Sequence, residues 1–176
     1  MWRMWGKPKL KAMPCDCSEY QPISLDRESV SRRIRQSPAI RKRLFQIAEN
    51  AGLRICLLRC AECGQFWQSG HEWNFADEEY LFQVPPIEIP DWLLESYRQP
   101  AAMLIYSAVM RSHFERVKYE TTDSPCRFEG CHLRATRFSI FCRDHHIESL
   151  QQLGKLPKKP VGRLFPPYFE GQAAVS

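Results

Sequence analysis

The chain has 176 residues, 26% of them charged, a formal net charge of +5 and eight cysteines. That length holds one medium domain or two small ones, and no window approaches the roughly 18 apolar residues of a membrane span. The opening stretch, MWRMWGKPKLKAMP, alternates bulky apolar and basic residues with no continuous apolar run and no small-residue cleavage site, which argues against a secretory signal and for a soluble, cytoplasmic protein without a membrane partner.

Charge is unevenly distributed. Residues 1–71 sum to +7, residues 72–97 to −7 with no Lys or Arg, and residues 98–176 to +5. Part of this neutralises internally on folding. In a reducing compartment eight clustered cysteines point to metal rather than to disulfides.

In chain order, residues 1–14 read as an N-terminal extension. SLDRESVSRRIRQ and SPAIRKRLFQIAENAG read as two helices. Asp26 is placed to cap the first, and Ser37 before Pro38 to cap the second. Ile40, Leu44 and Ile47 recur at helical spacing, with Gly52 where a C-terminal glycine belongs. LRICLLRC predicts a strand entering a CxxC knuckle and QFWQ a strand leaving it. Residues 72–90 read as irregular, with EYLFQV extended before Pro85 and Pro86. PDWLLESYRQP predicts one or two helical turns, with Phe82 and Trp92 in the core. AAMLIYSAVMRSHFERVKYE predicts the clearest helix, started by Pro100, with Ala101, Leu104, Ile105, Ala108, Val109 and Ser112 on one face and His113 at the surface. RATRFSIFC predicts a short strand or hairpin, and RDHHIESLQQLG a helix closed by Gly154. The Pro/Lys-rich tail, residues 155–176, is expected to be either disordered or draped over the domain. The whole reads as a small α+β fold with three to four helices, a zinc-stabilised domain over residues 15–154.

Two cysteine constellations carry the chemistry. CRFEGCHLRATRFSIFCRDHH sets Cys126, Cys131, Cys142 and His145 as two ligand pairs, the second at the start of a helix, where residues three apart share a face. That is a treble-clef-like arrangement for one zinc ion. His146 is an alternative to His145, and His132 a weaker one. RCAECGQFWQ supplies Cys60 and Cys63, half of a zinc-ribbon-like site. Cys15 and Cys17 are its expected partners, across a separation that costs little because loop-closure entropy grows slowly with length. His71 is the rival fourth ligand. Cys56, in an apolar strand, reads as a buried free thiol. Four protein ligands close each site, and a catalytic zinc keeps an open position. Both ions therefore read as structural, no catalytic residue is assigned, and metal removal is expected to unfold the protein.

RDHHI resembles the Asp-His start of HNH-type nucleases. Those enzymes need further ligands downstream, and after His146 the chain has no His, Cys or Asn. An enzyme is therefore not expected. Two binding surfaces remain. Arg32, Arg33, Arg35, Arg41, Lys42 and Arg43 form a basic run suited to phosphates. Residues 72–97 join seven acids to aromatic side chains, which suits a protein partner with a basic face. Trp73, Asp77, Glu78, Glu79 and Tyr80 are the candidate contacts there, and nucleic acid is the second choice of partner.

LLRCAECGQFWQ, the acidic aromatic segment and CRFEGCHLRATRFSIFCRDHH together resemble small two-zinc bacterial proteins, some of toxin-immunity type. The resemblance spans roughly residues 15–150 and is carried by the cysteine framework. It implies a non-enzymatic inhibitor that occludes a bacterial toxin acting inside the cell, with zinc holding the fold. The net positive charge departs from the acidic pattern usual in inhibitors of nucleases.

Overall fold

The computed structural model describes residues 15–169; the expected N-terminal extension and the end of the tail lie outside them. Four helices and two sheets make an α+β fold. The larger sheet is an antiparallel meander of β1 (Leu44–Asn50), β2 (Ile55–Cys60), β3 (Phe66–Gly70) and β4 (Tyr80–Val84), in that order.

Alternation along the strands splits the apolar residues between two faces. Leu57, Gln68 and Phe82 are register partners on one face, packed under α2 (Ile89–Leu94), α3 (Pro100–Arg116) and the chain after residue 155. Leu58, Trp67 and Leu81 occupy the other, with Ile40, Cys17 and Cys60. Covered on both sides, β3 has Trp67, Gln68 and Ser69 all buried. Gln68 is satisfied there: its Oε1 accepts from Trp92 Nε1 at 2.7 Å and from Tyr97 N at 3.0 Å, and its Nε2 donates to Tyr97 O at 2.6 Å. A buried amide so fully paired fixes where the chain leaves α2. Phe82 and Trp92 are buried, as expected from their place among the aromatics.

The two helices expected before the knuckle are instead one helix and one strand. A single helix, α1 (Arg27–Arg41), starts at Asp26, whose Oδ1 accepts from Ser29 N at 2.7 Å, and runs through Pro38. Ser37 is not a cap. Its hydroxyl donates to Arg33 O at 2.8 Å and accepts from Leu81 N at 2.8 Å. It thereby bonds the helix to the open edge of β4, and such satisfaction keeps an edge strand from pairing elsewhere. LFQIAEN forms β1, because pairing with the apolar β2 competes better than a short amphipathic turn. Gly52 lies in the β1–β2 turn. The register slips between Gln46 and Ala48, a bulge that bends this other edge strand.

The long helix α3 begins at Pro100 as expected, but its buried face is different. Ala101, Met103, Met110 and His113 are buried, and Ala108, Val109 and Ser112 are exposed. His113 leaves the expected surface because its Nε2 pairs with Tyr119 Oη at 2.6 Å. Burial holds the imidazole below the usual histidine range, so the neutral ring is the favoured form.

β5 (Thr121–Pro125) and β6 (Arg134–Thr136) form a two-stranded sheet followed by α4 (Arg143–Gln152). Gly154, at φ +69°, takes the left-handed position beyond α4. Residues 155–169 are draped over the core: Phe165 and Tyr168 are buried in it, Phe165 stacks on Phe82 at 5.9 Å, and Tyr168 Oη donates to Ile23 O.

Candidate metal centres

The first cluster sits at the end of the Trp67 face. β2 delivers Cys60, and a tight turn delivers Cys63. Cys60 N donates to Gln65 O at 2.9 Å, and Gly64, at φ +78°, supplies the left-handed residue that the turn requires. Cys15 and Cys17 arrive on an irregular segment held in three ways. Asp16 pairs with Arg43 at 2.8 Å, Gln83 Nε2 donates to Cys17 O, and the Tyr20 ring meets Trp67 edge-on at 5.8 Å. The four sulfur atoms lie within 4.8 Å of one another. His71 is elsewhere, its Nδ1 3.2 Å from Asp77 O.

The second cluster joins Cys126 and Cys131, flanking the loop after β5, to Cys142 and His145 at the start of α4; these donors also lie within 4.8 Å of one another. Cys131 Sγ is 3.9 Å from Cys142 Sγ, and His145 Nδ1 is 3.3 Å from Cys142 Sγ and 3.5 Å from Cys126 Sγ. Phe128 stacks on the His145 ring at 3.8 Å and orients it. His146 turns away, with its ring 6.0 Å from that of Tyr119, and His132 is exposed. Cys142 N donates to Cys126 Sγ at 3.2 Å, a bond that favours the thiolate.

The electrostatics of both clusters suit a bound cation. Burial pushes the Cys60 thiol up, yet the N–H groups of Cys63 and Glu62 outweigh it and bring it down to about 7. At Cys126 burial again pushes up, and the N–H groups of Cys142 and Phe128 bring the thiol down to about 6. Their neighbours go the other way. Cys17 is raised by burial and then by Cys60 and Cys63. Cys63 is raised by burial together with Cys15 and Cys60. At Cys131 the Leu133 N–H favours the thiolate, but burial and the thiols of Cys126 and Cys142 raise it. Sulfurs packed this closely cannot all carry negative charge without a compensating positive ion. The donor sets therefore fit a bound metal, one ion in each cluster. Cys56, outside both, is half-buried with its thiol raised by burial.

The candidate partner-binding residues fare unevenly. Trp73 is 75% exposed in a short 3-10 turn, and Asp77 and Glu78 are exposed. Asp77 pairs with Arg54 at 2.8 Å, and half-buried Glu79 with Arg41 at 3.4 Å. Tyr80 is a correction: it is fully buried, its Oη accepts from Ala101 N at 3.2 Å, and it belongs to the core. The basic run on α1 is also reduced. Arg33 is buried, and Arg41 and the exposed Arg43 are ion-paired, leaving Arg32, Arg35 and Lys42 exposed and without an ion pair among the described residues. The α2 surface escaped the sequence reading. Its signal was the pair Leu93–Leu94, which cannot both face inward on a two-turn helix that buries Trp92.

Among the described residues no helix is long and apolar enough to cross a membrane. No family model, no curated protein and no solved structure matches this chain. What the structure supports of the resemblance is its pair of Cys/His clusters.

Proposed function

We propose that the chain is a non-enzymatic protein in which two structural zinc ions hold a surface that binds a partner protein. The geometry of the second cluster carries this reading. A zinc tetrahedron with bonds of about 2.3 Å to sulfur and 2.0 Å to nitrogen has edges of about 3.8 Å between sulfurs and about 3.5 Å between sulfur and nitrogen. The 3.9, 3.5 and 3.3 Å separations agree with it. Four ligands of this kind close the coordination sphere, leave no position for a reacting water, and convert metal affinity into folding stability.

With the ions cast as scaffolding, function falls to the surface. Residues 72–97 supply acid without a single base, and two exposed features rise from them: the Trp73 turn and α2. One-signed charge steers an oppositely charged partner. The finer reading, from the cysteine framework, is an immunity protein that occludes a bacterial toxin with a basic face. Co-expression with a toxin encoded beside it is then expected to restore growth.

Nucleic acid is the competing partner, and the internal use of Arg33, Arg41 and Arg43 weakens it. Binding of the full chain to generic duplex DNA, measured between roughly 50 and 200 mM salt, separates the two. Weak binding is expected throughout; tight binding with a steep salt slope would favour the nucleic-acid reading instead.

A further inference from the structure

Resting on that reading of a basic protein partner, we propose that the docking site is the outer face of α2, and that its occupant is a partner segment with Lys or Arg side chains around an apolar anchor. Trp92 is the buried residue of α2, fixed by Gln68. Around it Ile89, Leu93 and Leu94 are exposed, Leu94 to 86%. The Tyr97–Arg163 bridge carries Val161, also exposed, past the end of the helix. Aliphatic side chains gathered in this way on a small domain mark an interaction surface.

The charges name the partner. Glu88, Asp91 and Glu95 are exposed around these aliphatics, and among the described residues none of the three is ion-paired. Near the Trp73 turn Asp77 is matched by Arg54 and Glu79 by Arg41, while Glu72 and Glu78 have no such pair among the described residues. Of the segment's five acids without an ion pair among the described residues, Glu72, Glu78, Glu88, Asp91 and Glu95, three therefore lie at α2. Arg163 lines the cleft beneath Glu88 and Asp91, with Phe66, Pro86 and Tyr97. The partner's cations accordingly pair at the helix rim, while its apolar anchor meets Leu93 and Leu94. An apolar centre within a polar rim is the usual anatomy of such a contact, and its sign excludes a phosphate backbone.

The test uses the full chain and a fluorescent amphipathic peptide of Leu and Lys, roughly 18 residues long so that it can form a helix. Binding is read by anisotropy for the wild type, Leu94→Asp, the triple variant Glu88→Lys/Asp91→Lys/Glu95→Lys, and the control Asp77→Lys/Glu78→Lys. All these positions are exposed, and every variant is expected to stay folded, with melting temperatures lowered only slightly by loss of the Asp77–Arg54 pair and by Lys at the start of α2. The α2 variants should each weaken binding about tenfold or more, and the control less than about threefold. An all-Lys peptide should bind more weakly, and a Leu/Glu peptide should not bind. Sensitivity at Asp77 and Glu78 but not at α2 overturns the site while leaving a basic partner in place. Failure of every basic peptide to bind overturns the α2 inference, and the toxin co-expression assay then decides separately whether the broader reading survives. Two competing occupants would also overturn it. A wild-type dimer that Leu94→Asp makes monomeric identifies a second copy of the chain. Tighter probe binding after replacing Arg3, Lys7, Lys9 and Lys11 by Gln identifies the chain's own basic N-terminal residues.

Discussion

Replacing Cys126 and Cys142 together by serine is expected to unfold residues 119–153 and leave the four-stranded sheet folded. Within residues 117–154 only Cys126, Ala135, Thr136 and Cys142 are buried, and two of these are candidate metal ligands. Neither hydrophobic cluster draws a side chain from this stretch, and α4 buries none of its residues. A unit below about 40 residues without a core usually needs a metal or a crosslink, and zinc bound by small peptides contributes about 10–16 kcal/mol. No other interaction in the stretch approaches that. Its ion pairs, Arg137–Glu120 and Arg143–Asp144, are exposed and are worth at most about 1 kcal/mol each. Hydrogen exchange should therefore show α4 losing protection while β2 and β3 keep theirs. Protection of α4 without its metal would contradict the account. From the sequence alone, loss of metal is expected to unfold the whole protein; the structure confines the larger effect to the second cluster, because Cys17 and Cys60 also pack with Ile40, Leu58, Trp67 and Leu81.

Arg33→Ala is expected to cost about 2–4 kcal/mol, because the buried Leu81 carbonyl is left without its donor and two further bonds are lost, with about 1–3 kcal/mol for an unsatisfied buried acceptor. Arg33 Nη1 donates to Leu81 O at 2.9 Å, Nη2 to Gln21 O at 2.5 Å and Nε to Gln36 Oε1 at 3.2 Å. Its guanidinium also lies over Tyr20 at 5.6 Å and Trp67 at 5.7 Å. One side chain thus ties α1, β4 and the segment carrying Cys15 and Cys17 into a single packed face. Lysine keeps the charge but not the planar fork, so Arg33→Lys should recover less than half of the loss. Urea unfolding measures both; a loss below about 1 kcal/mol for alanine would show that the fork is dispensable.

The two Cys/His clusters were the most legible part of the sequence. Ligand spacing is a local property, and Cys126, Cys131, Cys142 and His145 are drawn together by one loop and one helix start. Pairing Cys15 and Cys17 with Cys60 and Cys63 is a long-range contact, readable because few other donors were left. Strand order around the knuckle and the start of α3 were legible for the same local reasons. Residues 44–50 were not, because Ile40, Leu44 and Ile47 satisfy a helical period and only pairing with β2 reveals the strand. Arg33 and Tyr80 misled in the same manner. Residue type places an arginine or a segment tyrosine outside, and tertiary contacts that the sequence does not display place these two inside. His113 followed them inward through its bond to Tyr119.

The central claim is that two closed clusters each hold one structural zinc ion. Native mass spectrometry of the full chain tests it most directly, with the Cys126→Ser/Cys142→Ser variant alongside. Two zinc ions per wild-type chain and one per variant chain are predicted. A folded wild-type chain that carries no zinc, or a variant that still carries two, would contradict the account.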